Sequence, residues 1–405
     1  MCSIKGIPLS AESPSAGHRP RVALVGISGY GAVHLAELLH LQDTGRIDLT
    51  ACVAIDAQTQ PEIVSSLSAK GCEIHGDYHA MIRAHAGKLD LCCLPTPISC
   101  HAPMCLAALE AGTNVLVEKP LAATLADANA IASAEQGSGQ FVAVGYQDMY
   151  QPENLALKRA LLRGAIGRLR EIRVCAVRPR PLGYYSRNHW AGRIKARGVP
   201  VYDSPVNNAF AHFVNLALFF AGPSPESAAC PLRVRADLFR AQPIENFDTA
   251  VLHGETDTGV ALKIYATHSC ETALPLQILL VGDTGTAEWT SGGSIRIKTA
   301  GAEEQFALPS FAEARRRMFD RLAARLADPT VFVCGVPLAT EQVRLVNMIQ
   351  DTTTIRDIPA DWCRQRTSES TGDEQIAIPG IEAAFRSAFL EGKVFGEMEC
   401  PWAQP

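Results

Sequence analysis

The sequence predicts an α/β protein of two domains: an N-terminal doubly wound parallel sheet, then a C-terminal α+β domain with an open, largely antiparallel sheet. Its 405 residues, 47% hydrophobic and 20% charged, suffice for two cores. Up to about residue 147 apolar runs alternate with segments of helical spacing, whereas from Glu171 onward strand-like runs follow one another. The expected division is a loose tail over 1–20, a first domain over 21–147, a second over 148–354 and an extension over 355–405.

The first element is the run Arg21 to Val25, followed by a helical pattern from Ala32 to His40. Between them stands Gly26-Ile27-Ser28-Gly29-Tyr30-Gly31, three glycines where a chain turns tightly and a pyrophosphate can approach a helix N-terminus. The usual fingerprint has a further glycine where this chain has Ser28, so the turn alone leaves nucleotide binding open. A second run, Leu49 to Ile55, ends in Asp56. An acid there accepts the ribose hydroxyls of NAD and repels the 2′-phosphate of NADP, although Asp also caps ordinary turns. Strands over 89–94, 114–117 and 141–144 and helices over 101–111 and 125–134 complete the alternation, which places ligands at the strands' carboxyl ends.

The formal net charge of −5 offers nothing to a phosphate backbone, so nucleic acid is not an expected partner. No apolar run is long enough to span a membrane. The 13 cysteines show no C-x-x-C pair, which argues for a reducing, cytoplasmic setting with neither a disulfide framework nor a metal site.

Thr96-Pro97 with His101, then Ala107-Ala108-Leu109-Glu110-Ala111-Gly112, Val115 and Glu118-Lys119-Pro120, and finally Gly145-Tyr146-Gln147, form a combined pattern. In it the chain resembles the glucose-fructose oxidoreductase and inositol dehydrogenase family (Gfo/Idh/MocA). The resemblance implies a Rossmann domain holding NAD, with NADP the lesser alternative. The cofactor would lie over Gly26, Ser28, Gly29, Tyr30 and Gly31, with Thr96, Pro97, His101, Glu118 and Gln147 around it. It further implies that Lys119 reaches the reacting hydroxyl and that the Lys-Pro peptide is cis. Without the resemblance, Lys119 reads as a solvated lysine.

In the second half, Ser204-Pro205 reads as a helix start, which would place Asn208, His212 and Asn215 on one helix face. The family usually carries acids at the first and third of these positions, so His212 is the acid/base candidate and Asn208 can only orient a partner. On that reading a carboxylate at 208 would raise the pKa of His212. Asp203 is the nearest source of the missing charge, and a satisfied buried histidine is the alternative for His212. Between strand and helix runs 178–193, rich in Arg, Tyr and Trp; Tyr185, Arg187, Asn188 and Trp190 suit a sugar or a carboxylate, as they also suit a domain interface. Asp203 and Asn215 complete the candidate substrate set. Trp362 and Trp402 in the extension read as packing across a domain or subunit boundary.

The expected activity is hydride transfer between nicotinamide and a secondary hydroxyl of a sugar, sugar derivative or cyclitol, in a homo-oligomer built through the C-terminal sheet. A glycosidase using transient oxidation by NAD, and a non-catalytic NAD(P)/sugar-binding sensor, are the alternatives.

Overall fold

The computed structural model describes residues 19–55, 57–367 and 372–403. They divide into two compact units, the first made of the described residues up to 122 with Ala126–Pro152 and Ala312–Val336, the second of Ala123–Leu125, Glu153–Phe311 and the described residues from 337 on.

In the first unit the chain runs β1 (Arg21–Val25), α1 (Tyr30–Asp43), β2 (Asp48–Val53), α2 (Pro61–Ala69), β3 (Glu73–His75), α3 (Tyr78–Ala84), β4 (Leu91–Leu94), α4 (Ile98–Glu110), β5 (Asn114–Val117), α5 (Leu125–Ser138) and β6 (Val142–Val144). All six strands are parallel, in the order β3-β2-β1-β4-β5-β6. Val22, Leu24, Cys92, Cys93, Val115 and Leu116 are wholly buried, because helices cover both faces and leave no polar side to alternate with. That explains why these strands read as continuous apolar runs.

The second unit contains α6 (Pro152–Leu162), β7 (Leu169–Val177), α7 (Leu182–Ser186), β8 (Lys195–Ala196), β9 (Val199–Pro200), α8 (Ala211–Ala221), β10 (Pro231–Arg240), β11 (Thr249–Thr256), β12 (Ala261–Thr267), β13 (Gln277–Gly282), β14 (Gly285–Thr290), β15 (Ser294–Thr299) and β16 (Ala302–Ala307). After α9 (Phe311–Ala327) come α10 (Val336–Thr352), β17 (Ile355–Asp357), β18 (Arg364–Thr367), β19 (Glu374–Ala377) and α11 (Ile381–Glu391). Its main sheet has nine strands ordered β16-β15-β14-β13-β7-β12-β11-β10-β17, antiparallel except at β7/β12 and β10/β17.

Three expectations need correction. Helix α9 belongs with the first unit, although it lies within 148–354. Phe319 sets its ring edge-on to His34 of α1 at 5.1 Å, Arg316 pairs with Glu37 at 3.0 Å, and Asp320 pairs with Arg46. Contacts this distant in sequence leave no local pattern. The extension after 354 is part of the second unit: β17 joins the sheet edge, and α11 buries Ile381, Phe385 and Phe389 against Val177, Tyr265 and Val251. Trp402 packs edge-on to Phe239 at 5.1 Å, inside its own unit, while Trp362 is largely exposed. Finally, the helix expected from Ser204 begins only at Ala211. Residues 205–210 form irregular turns, and the Ser204 hydroxyl is buried without a hydrogen-bond partner rather than capping.

Among the described residues no helix is long and apolar enough to cross a membrane, and the cysteines are free thiols.

Candidate active site

On the first unit the candidate groups gather at the carboxyl ends of β1, β4, β5 and β6. Gly26 and Gly29 have φ of +93° and +55°, which side chains rarely adopt, and a Cβ on Gly31 would fall 2.2 Å from the Gly26 carbonyl oxygen. The turn therefore needs its glycines for its own shape. Nothing lies within 4 Å of the positions a Cβ would take on Gly26 and Gly29, and α1 has no acid in its first turn. An open turn at the positive end of a fourteen-residue helix fits the pyrophosphate of a dinucleotide. Ser28 and Tyr30 are exposed on this turn. Asp56 lies outside the described residues.

Lys119 follows the end of β5, and the Lys119–Pro120 peptide is cis. Its backbone N–H donates to Glu118 Oε2 at 3.1 Å, while Glu118 Oε1 stands 2.9 Å from His34 Nε2 on α1. A Cβ on Gly145 would meet Glu118 Oε1 at 2.6 Å, so glycine there makes room for the carboxylate. Glu118 thus ties the glycine-turn helix to the lysine-bearing loop. His34, buried on α1, is a participant that sequence reasoning missed. His101 is wholly buried, with Nδ1 2.8 Å from the Pro120 carbonyl and Nε2 2.9 Å from that of Thr96. Burial holds its pKa below the ordinary range. The ring stands between two strand-end loops, its one N–H in the neutral form donating to one of the two carbonyls. Thr96 keeps a buried hydroxyl without a hydrogen-bond partner, Pro97 starts α4, and Gln147 is buried with its carbonyl accepting from Gln151 at 2.7 Å.

On the second unit the organising residue is Asp203. Oδ2 accepts the Gly192 N–H at 2.6 Å, Oδ1 accepts the Asn208 amide at 2.7 Å, and its carbonyl accepts from Asn246 at 3.2 Å. Tyr202 before it has φ of +45°, a strained conformation held in place by Asn207, whose amide donates to the carbonyls of Val201 and Tyr202. Asn208 therefore faces Asp203 from a turn and is not on the helix. His212 and Asn215, three apart on α8, are both buried and share a helix face. Lys158, fully buried on α6, donates to the Phe219 carbonyl at 2.5 Å and to that of Gly222, which anchors the carboxyl end of α8.

In the 178–193 loop Arg187 stacks over Tyr184 at 3.6 Å and near Trp190 at 5.2 Å. Asn188 Oδ1 accepts from the N–H groups of Trp190 and Ala191, closing a turn on itself. Tyr185 has a buried hydroxyl with no hydrogen-bond partner, beside a small cavity that Asp203, Ser204 and His268 also line.

Comparison with known proteins adds a family and relatives to this geometry. The model of an oxidoreductase family with an NAD-binding Rossmann fold matches residues 20–146, and that of the GFO/IDH/MocA C-terminal domain matches 154–288. Inositol 2-dehydrogenase 4 of Saccharopolyspora erythraea is 28% identical over 312 residues, 76% of this chain and 84% of that protein. Among solved structures, an inositol dehydrogenase homolog of Azotobacter vinelandii complexed with NAD+ superposes with a TM-score of 0.69 at 18% identity, covering 83% of this chain and 96% of that one. The WlbA dehydrogenase of Bordetella pertussis, in complex with NADH and UDP-GlcNAcA, gives 0.67 at 20% identity over 83% and 96%.

Proposed function

The chain belongs to the Gfo/Idh/MocA family of NAD-binding oxidoreductases, and on that premise we propose that it moves a hydride between nicotinamide and a secondary hydroxyl of a sugar, sugar derivative or cyclitol. The observation that carries this reading is the placing of Lys119 just past the carboxyl end of β5, its N–H held by Glu118, in the same sheet whose glycine turn suits the dinucleotide. The bound nicotinamide supplies the hydride acceptor or donor. Lys119 binds the substrate oxygen and stabilises its developing negative charge, and His212 takes or returns the hydroxyl proton. Asn208 is a positioning residue that acts through Asp203. Arg187, Trp190 and Tyr185 contact the substrate, and Asn188 shapes their loop. Asp56 favours NAD over NADP by charge. The setting is cytoplasmic. Any homo-oligomer contact falls on β13–β16, on the face that carries Arg296 and Lys298 in the open and that α11 covers only at the middle of the sheet.

The test is a panel of cyclitols, aldoses, uronates and nucleotide sugars assayed with NAD+ by nicotinamide absorbance. On the substrate found, Lys119→Ala and His212→Ala should each lower kcat by on the order of 100-fold with NADH affinity nearly unchanged. A His212→Ala enzyme running at full rate would remove His212 from the chemistry. Tight NADH binding without turnover of any substrate would leave a sensor.

A further inference from the structure

Among the described residues one group of three can hold a metal ion: Glu73, His75 and His85, at the outer edge of the first unit's sheet. Glu73 and His75 are two apart on β3 and so point to the same face of the strand. The chain then turns through Asp77, whose side chain caps α3 by accepting the Ala80 N–H at 2.7 Å, and one short helix returns it to His85 at the helix's carboxyl end. His85 Nε2 stands 3.2 Å and His75 Nε2 3.5 Å from the same oxygen, Glu73 Oε2. The two imidazole rings lie 5.4 Å apart at 79° to one another.

We propose that these three side chains bind a divalent transition metal of the zinc class, with water at the fourth position. Zinc bonds of about 2.0–2.1 Å to imidazole nitrogen and carboxylate oxygen put ligand atoms roughly 3.3 Å apart at the corners of a tetrahedron, and the two histidine-to-glutamate separations match that edge, with all three ligand atoms within 4.8 Å of one another. Hydrogen bonding alone leaves the cluster incomplete: His75 Nε2 is shielded from solvent and has no hydrogen-bond partner. An ion between the three atoms satisfies that nitrogen and the carboxylate together. Two imidazoles and one carboxylate are the donors zinc and its neighbours prefer, and no thiolate takes part, since Cys72 precedes Glu73 and points to the opposite face of the strand. The Glu73 side chain is 65% exposed, which gives the ion an entry path and room for water. Bound there, the ion clips a three-residue edge strand to the end of α3. Through the His75 carbonyl, which accepts the Ala54 N–H at 2.8 Å, it also steadies the chain leaving β2.

The experiment uses the full chain freed of metal by a chelator and titrated with Co2+ as a spectroscopic probe, then with Zn2+ in competition. The expected result is one Co2+ per chain, with the visible band of four-coordinate cobalt and no near-ultraviolet thiolate charge-transfer band, displaced by Zn2+. His85→Ala and Glu73→Gln should each weaken Co2+ binding by on the order of 100-fold or more, because replacing groups that merely support ligands already costs about 10–100-fold. Cys72→Ser should leave it unchanged, and Zn2+ should raise the melting temperature of the unaltered protein and of Cys72→Ser but not of His85→Ala or Glu73→Gln. Glu73→Gln alters only an exposed carboxylate, so it remains informative should His85→Ala fail to fold. Undiminished binding in Glu73→Gln, a thiolate band that disappears in Cys72→Ser, or no saturable binding to the unaltered protein would overturn the proposal. NADH affinity, measured on the same samples, reports on the dinucleotide site separately.

Discussion

Each unit buries a titratable side chain of opposite kind beside its candidate residues. In the first, Asp148 follows Gln147 in the turn after β6, and burial pushes its carboxyl up to about 7. In the second, His268 follows β12 and lines the cavity with Tyr185 and Asp203. Burial, and then Arg180, Arg178 and Arg187, pull its imidazole down to about 3, against a bond to the Arg178 carbonyl at 3.0 Å that favours the charged form. One rule operates in both: burial disfavours the charged form of a titratable group, so each is pushed toward its neutral form. Because an acid is neutral when protonated and a base when deprotonated, the two units should respond to pH in opposite senses.

The largest effect should come from His268. Its folded pKa is depressed, so its contribution is complete above about 6.5 and is lost as pH falls toward 3, at about 1.4 kcal/mol per pH unit and about 5 kcal/mol over the window. His268→Asn keeps a donor for the Arg178 carbonyl and should flatten the acid limb of stability measured by urea unfolding. An unchanged limb would show that His268 is already charged when folded.

Asp148 should act in the other direction and somewhat less strongly. Its folded pKa is raised, so its contribution is complete below about 4 and declines as pH rises through about 7, by about 4 kcal/mol at most. Asp148→Asn should remove that decline in the first unit while leaving the His268 limb intact. If both limbs change together, the two units do not unfold independently, and the contrast fails.

The smallest effect sharpens the comparison at Asp203. A carboxylate at 208 was expected to raise the pKa of His212, but the Asn208 amide donates to Asp203 Oδ1 at 2.7 Å. Asn208→Asp therefore sets two carboxylates face to face and removes a donor, which should cost about 1–3 kcal/mol of stability. Asp203→Asn in the same chain should recover part of it. A stable single variant with an upward-shifted activity profile would restore the first expectation.

What the sequence by itself determined is what chemistry writes into neighbouring residues. The glycine turn is legible because positive φ and the Gly31 approach to the Gly26 carbonyl demand glycine. The parallel sheet is legible because strands buried on both faces admit only apolar side chains. The cis peptide after Lys119 was legible through a family resemblance, and the cis geometry is present. The tertiary structure alone decided who partners whom. Glu118 meets His34 across 84 positions, α9 returns to α1 after nearly three hundred, and α11 closes over a sheet face that strand alternation left open. Asp203, five positions from Asn208, took that amide because irregular turns replaced the expected helix and aimed it away from the helix face. A hydrogen bond needs atoms within about 3 Å, and periodicity fixes only which side of an element a residue occupies, so partners from other elements stay invisible until the chain has packed.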